Sequence, residues 1–417
     1  MIEWNPVLVV FLSVYVFQSV FDLWLEKLNR DHLRKWGDRA PDSFRTVLDA
    51  EKLGKMRAYT IENSNFDSFQ TLISDGLLIA MIVFGFFPGI ERPIQEWGLT
   101  LIPAGLIFML AAGTVSFLIH LPFDYAHTFG IEQKFGFNHS TLAIWISDHI
   151  KAAILNLLLA SILLSALLWT IKAFPDRWWL AAFAIISGIQ LLLSVLYPIA
   201  IAPLFNKFEP LKDQELAQKV RDLTRENGIR IKKILQMDAG KRSRHTNAYF
   251  TGFGRTKRVV LFDTLLNSHS QDEILAVLAH EMGHHKGRHV WKQFGLFEAA
   301  MFAGLYVSYR LLDWPQLYSA FGFVTMKPYV GLFLLGIFWQ KVGYFLSPLY
   351  MALSRRHERY ADSFAVKLLK TGRPMAAALR RLGVDNLSNL TPHPLYVRFH
   401  YSHPPLVKRV EALEPEA

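Results

Sequence analysis

Seven stretches of this 417-residue chain are apolar for long enough to cross a lipid bilayer, which limits its fold more than any other feature. A bilayer core takes about 20 residues of helix. The stretches cover 5–25, 72–90, 99–121, 150–174, 178–204, 294–312 and 328–351, the sixth interrupted by Glu298 and Arg310. Backbone polar groups find no water in hydrocarbon, so each stretch is expected to be helical. The composition agrees, with 52% hydrophobic residues and a mean hydropathy of +0.20. No basic region precedes the first stretch and no small-residue cleavage site follows it, so it reads as a retained helix rather than a signal peptide.

Basic residues orient the bundle. Nine lysines and arginines lie between 27 and 57, whereas the loops of opposite parity hold Arg92, then Lys172 and Arg177, then Arg310 and Lys327. The positive-inside rule puts the rich loop in the cytoplasm and the N-terminus outside. After seven crossings, the polar segment 206–293 and the C-terminal tail also lie inside. The net charge of +10 has the same origin, in basic loops facing anionic headgroups. It is spread over several loops, so no nucleic-acid partner is expected. Gly252-x-Gly254 with Arg255 and Lys257 lacks the later residues of a phosphate loop and reads as a turn between strands. Asp75, His120, Glu298 and Lys341 fall inside apolar stretches. Charges at such depth face a protein interior or a water-filled cavity.

The polar segment contains His280-Glu281-Met282-Gly283-His284 within a helical pattern over 272–289. Two histidines four apart share a helix face and can reach one zinc ion. Glu281, beside the first, can take a proton from the water that such an ion activates. Ile274, Leu275, Val277, Leu278 and Met282 supply the apolar side, and Asp272 and Glu273 suit the positive end of the helix dipole. Without this chemistry, the stretch would be a basic, histidine-rich surface helix. The chain has no cysteine, so nitrogen and oxygen must hold the metal.

A catalytic zinc site takes three protein ligands and leaves one position open. Glu358 and Asp362, four apart, share a helix face. Glu358 can bind the ion while Asp362 accepts a hydrogen bond from a liganding histidine. On its own, this charged run would read as a solvated helix; the need for a third ligand favours the metal site. His403, before Pro404 and Pro405, is held in an extended or turn conformation that suits a donor aimed at an oxyanion. Arg409 follows. Residues 247–250 and 258–262 read as a short hairpin whose edge can hold a substrate strand.

Further motifs are Lys55-Met56-Arg57-Ala58-Tyr59, Glu132-Gln133-Lys134-Phe135-Gly136-Phe137-Asn138 and Pro203-Leu204-Phe205-Asn206-Lys207-Phe208. With Asn247-Ala248-Tyr249, the histidine motif, Ser354-Arg355, Glu358, Asp362, Ser402-His403-Pro404 and Arg409, the chain resembles, nearly end to end, the integral-membrane CAAX prenyl protease 1 family. These are zinc endopeptidases that trim the tails of prenylated proteins. The resemblance implies one Zn2+ per chain held by His280, His284 and Glu358, with Glu281 as general base and Asp362 behind a ligand. It implies His403 and Arg409 as substrate or transition-state contacts, and Asn247, with Ala248 and Tyr249, on the substrate-binding strand. Arg359 departs from the family, which usually has an aromatic residue there.

The expected fold is an all-α polytopic membrane protein of about seven transmembrane helices around an intramembrane chamber. A small α+β zincin-like catalytic domain lies on its cytoplasmic side. Its expected regions are a five-helix membrane part (1–205), a catalytic segment with the hairpin and histidine motif (206–293), helices six and seven (294–351), and a C-terminal segment with the third ligand (352–417). The expected activity is cleavage near the C-terminus of CAAX-type, prenylated or other membrane-associated polypeptides. The expected partners are that polypeptide, lipidated or not, and membrane lipids, with the protein acting as a monomer. The expected setting is a bacterial inner membrane, since Glu414-Pro415-Glu416-Ala417 is no ER-retrieval signal. The rival reading, a non-catalytic scaffold or transporter, leaves the zinc residues unexplained, and no inverted repeat is visible.

Overall fold

The computed structural model describes residues 2–252 and 257–414. The expected glycine turn lies outside the described residues apart from its ends, Gly252 and Lys257. Six helices are long and apolar enough to cross a membrane: Pro6–Trp36, Ala50–Val83, Leu101–Phe135, Leu142–Ala173, Trp178–Leu204 and Pro328–Leu369. The first begins at a side-chain cap, Asn5 Oδ1 accepting from the Leu8 N–H (3.1 Å), with Pro6 in the first turn.

The second expected stretch, 72–90, is not one helix. Its helix ends at Val83, Gly85 takes a left-handed φ of 69°, and a separate helix, Phe86–Glu96, turns away. The apolar run Phe84-Gly85-Phe86-Phe87-Pro88 passes straight through this corner, so hydropathy does not reveal it.

The sixth expected stretch is the 24-residue helix His289–Leu312, about 36 Å long. Its charges keep it out of the most apolar set, but parity requires it to cross. The histidine-motif helix, Gln271–Lys286, meets the far half of Pro328–Leu369. If the second of these helices crosses the bilayer to return to the site, His289–Leu312 must have crossed it to leave. The connection between them lies beside the N-terminus, where the Glu3 N–H donates to the Ser319 carbonyl (3.3 Å). Glu298 is hydrogen-bonded by Ser187 of the neighbouring helix, so it faces protein rather than lipid.

The membrane helices pack thinly. Only 6% of the apolar window is buried in Ala50–Val83 and in Trp178–Leu204, and 11% in Leu142–Ala173. Helices that touch neighbours only along narrow seams enclose space. A polar cavity of about 440 Å³ lies among four of them, lined by Asp22, Asp67, Asp75, His120, Lys341 and Tyr344 among others. Lys341 pairs with Asp75 (3.1 Å) and lies 3.9 Å over the Tyr15 ring; Tyr15 and Ser19 also donate to Asp75. Thus the charges inside apolar stretches do face the interior.

Beyond the membrane helices lies a four-stranded sheet of order β1-β2-β4-β3, with β1 Phe208–Pro210, β2 Lys233–Met237, β3 Ala248–Thr251 and β4 Arg258–Phe262. β2 and β4 are parallel, while β3 and β4 form the expected antiparallel pair, Ala248 opposite Leu261. β3 is therefore an edge strand. Val259 and Leu261 pack on Ile274, Val277 and Leu278 of the histidine-motif helix, fixing its rotation about its axis. That helix starts with a capping box: Ser270 accepts from the Glu273 N–H, and Glu273 accepts from the Ser270 N–H.

The motif helix crosses Pro328–Leu369 at Gly283. A Cβ there would lie 2.8 Å from Ala361 Cα, so glycine permits the close approach. Gly283→Ala is expected to cost about 1–3 kcal/mol by overpacking. It should lower the thermal midpoint and zinc occupancy together, read by calorimetry and metal analysis. An unchanged midpoint and occupancy would mean this contact does not set the site.

Candidate metal centre and active site

Two elements build the centre. His280 and His284 lie one turn apart on the motif helix, and Glu358 projects from the long helix that crosses it. His280 Nε2 lies 3.1 Å from His284 Nε2 and 3.3 Å from Glu358 Oε2, and His284 Nε2 lies 3.1 Å from Glu358 Oε1. Tetrahedral zinc with bonds of about 2.0 Å to nitrogen and oxygen separates its ligand atoms by about 3.3 Å. Glu358 Oε2 is buried and, among the described residues, has no hydrogen-bond partner. The donor set fits a zinc ion.

Asp362, one turn beyond Glu358, accepts from His280 Nδ1 (2.8 Å), which leaves Nε2 turned to the metal position. Arg409 donates to both Asp362 oxygens, through Nε (2.8 Å) and Nη2 (2.7 Å), and its Nη1 lies 3.6 Å from Glu358. Arg409 is buried behind the ligands, which differs from the direct substrate contact expected of it. Two of its three nitrogens are occupied by Asp362, because a buried carboxylate needs a full complement of donors. Burial disfavours its charge, but Asp362 outweighs this and raises its pKa, so it stays charged. Burial would also lower His280, but hydrogen bonds to Asp362 and Glu358 win and push it up to about 9. Burial raises the Glu281 carboxyl above its usual value, opposed by His280 and His284.

His403 Nε2 lies 3.4 Å from Glu358 Oε1 with its side chain more than half exposed, placing this histidine at the open side of the cluster. Burial of the ring lowers its pKa, opposed by Glu358. Arg355 holds the preceding loop by donating to the carbonyls of Val397 (2.9 Å) and Tyr401 (2.7 Å). His400, three residues before His403, lies 3.3 Å from Asp22 of the first membrane helix. Asn247 turns its Oδ1 onto the Ala248 N–H (2.8 Å) at the start of β3, and Tyr249 packs edge-on against Phe262. Arg359 is exposed, so the departure at this position leaves the metal cluster untouched.

Sequence reasoning did not foresee His289, whose Nδ1 lies 3.0 Å from Nδ1 of His284. Its position at the start of the next helix gave no periodic signal. The Gly283–Ala361 crossing was equally hidden, although a glycine between two ligands on a helix invites the question.

Two family profiles match the chain: the CAAX prenyl protease N-terminal region with five membrane helices, over residues 29–207, and peptidase family M48, over 210–417. Among curated relatives, the CAAX prenyl protease 1 homolog of Arabidopsis thaliana is 33% identical over 419 residues, covering 97% of this chain and 96% of the relative. CAAX prenyl protease 1 of Saccharomyces cerevisiae is 34% identical, covering 90% and 88%. The human homolog is 31% identical, covering 97% and 95%. The crystal structure of S. mikatae Ste24p superposes with a TM-score of 0.93 at 30% identity, covering 99% of this chain and all of that one.

The raised His280 has a measurable effect. A protonated imidazole cannot bind metal, so protons compete with zinc up to about pH 9 rather than only near the usual imidazole value. Apparent zinc affinity, read by chelator competition, should keep rising from about pH 7 to 9. Asp362→Asn should weaken affinity about 10–100-fold and flatten that rise.

Proposed function

This chain belongs to the CAAX prenyl protease 1 family of membrane zinc metallopeptidases, and we propose that it cuts membrane-associated polypeptides near their C-termini, prenylated CAAX-type tails among them. One observation carries the proposal. Glu358 and the cavity-lining Lys341 stand on one unbroken helix, Pro328–Leu369, roughly 25 Å apart at about 1.5 Å per residue. A polypeptide anchored in the membrane region thus has a polar route towards the metal centre.

In this reading His280, His284 and Glu358 hold the ion. Zinc, when bound, supplies Lewis acidity to the scissile carbonyl and lowers the pKa of the attacking water. Glu281 takes the proton of that water on its carboxylate and passes it to the leaving amide nitrogen. Its raised pKa suits both halves of the transfer. His403, neutral through burial, donates from Nε2 to the carbonyl oxygen as negative charge grows there. Arg409 and Asp362 hold His280 in its liganding orientation. The outer edge of β3, starting at Asn247, Ala248 and Tyr249, pairs with the substrate backbone, which needs Asn247 to release the Ala248 N–H.

We assign the cytoplasm to the catalytic side. The basic loop after the first helix packs on the C-terminal segment: Asn29 Oδ1 accepts from the His393 N–H (3.0 Å), and Arg380 donates to the Ser43 carbonyl. Loop and site therefore share a side, and the positive-inside rule makes it the cytoplasm.

The test is cleavage of a farnesylated CAAX peptide and its unprenylated twin by purified protein, with and without phenanthroline. Chelator-sensitive cleavage of either supports the proposal, and cleavage of the lipidated peptide alone makes the prenyl group part of recognition. No cleavage of either by zinc-loaded protein would overturn this substrate assignment. Glu281→Gln should keep zinc and lose about 10²–10⁴-fold in turnover. His403→Ala should lower kcat about 10²–10³-fold with little change in KM.

A further inference from the structure

The two histidine ligands are supported differently. His280 Nδ1 rests on Asp362, a carboxylate anchored by Arg409. His284 Nδ1 faces Nδ1 of another imidazole, His289, at 3.0 Å. Two facing ring nitrogens at this distance form a hydrogen bond only if one carries the proton. When His284 uses Nε2 for the metal, its proton sits on Nδ1, so His284 donates and His289 accepts.

The surroundings of His289 hold its ring in one orientation. It is buried, stacked face to face on His357 (3.9 Å between centroids, 7° between planes) and touched edge-on by Tyr360 at 5.2 Å. The chain reaches it through a tight turn in which Arg288 takes a left-handed φ of 52°. A Cβ at Gly287 would lie 2.2 Å from His289 Nε2, so only glycine leaves room for this ring. His357 and Tyr360 flank Glu358 on the long helix, so the ring that orients one ligand is clamped by neighbours of another.

We propose that His289 is a positioning residue of the metal centre: it accepts the Nδ1–H of His284, fixing that ligand's tautomer and ring angle with Nε2 towards the ion. It touches neither substrate nor metal. This inference rests on the zinc-peptidase reading and adds to it a part of the site outside the histidine motif.

Two substitutions separate the hydrogen bond from the packing. His289→Phe keeps an aromatic ring against His357 and removes the acceptor. His289→Asn removes the ring and puts an amide oxygen near the former Nδ1. Zinc affinity by chelator competition and the visible spectrum of the Co(II)-substituted protein are read on the purified full chain, with thermal midpoints alongside. The expected result is a 10–100-fold loss of affinity and an altered Co(II) spectrum for Phe, with Asn within about threefold of the parent. The opposite order, Asn weak and Phe unchanged, would mean that packing alone matters and would overturn the proposal. Equal affinity in all three would overturn it too, leaving the zinc reading intact. A parent protein that binds no zinc, as poorly as His280→Ala, would overturn the zinc reading and this inference together.

Discussion

One helix must serve two solvents. Pro328–Leu369 starts among apolar neighbours, where Tyr329, Val330, Leu334 and Leu335 are buried in the bundle core. It ends among charges, where Ser354, His357, Glu358, Ala361, Asp362 and Ala365 form its buried face. The spacing of that second set is helical, three or four residues between members, so one stripe faces the motif helix throughout. Because the helix is unbroken, Glu358 cannot be placed independently of the membrane bundle. The seam at Gly283 and Ala361 sets how closely the two ligand-bearing helices approach. Tilting the long helix in the bilayer would move one ligand against the other two.

The charges at that seam are mutually dependent. Glu358 and Asp362 are both buried, and each would be costly there alone. Asp362 is answered by Arg409 and His280, and Glu358 by the two liganding histidines. Arg409 arrives from the last helix, Leu406–Leu413, which ties the C-terminal end of the chain to the metal position. Removing one member of such a set leaves its partner buried and uncompensated, typically a loss of 3–5 kcal/mol. The order of elements in the chain therefore says little about the site. Its parts come from positions 280 to 409, and electrostatic neutrality holds them together.

Much of this was legible because the signals are local. Hydropathy located the membrane helices, histidine spacing located the ligands, and the Glu358–Asp362 interval revealed a shared face. The misses are tertiary. The corner at Gly85 lies inside an unbroken apolar run, and only its left-handed φ marks it. The buried position of Arg409 depends on where Asp362 ends up, which no spacing between the two encodes. His289 sits just outside the motif helix, across a turn whose shape follows from Gly287 and Arg288. The charged helix His289–Leu312 scores poorly by composition, yet the chain must cross there because its two neighbours end at one site.

The polar wall in the membrane region follows the same logic. An ion pair such as Lys341–Asp75 adds little stability over well-packed apolar residues of similar volume. Its physical effect is on the alternatives. Four helices with apolar inner faces would close on each other and fill the space between them. Closing this cavity would strip water from Asp67 and His120, which are exposed on its wall, at a cost of several kcal/mol per uncompensated charge. Charges on the inner faces thus keep the bundle open, while apolar outer faces keep it in the bilayer. Thin helix–helix seams are tolerable for the same reason, since lipid on one side and water on the other each solvate the face they meet.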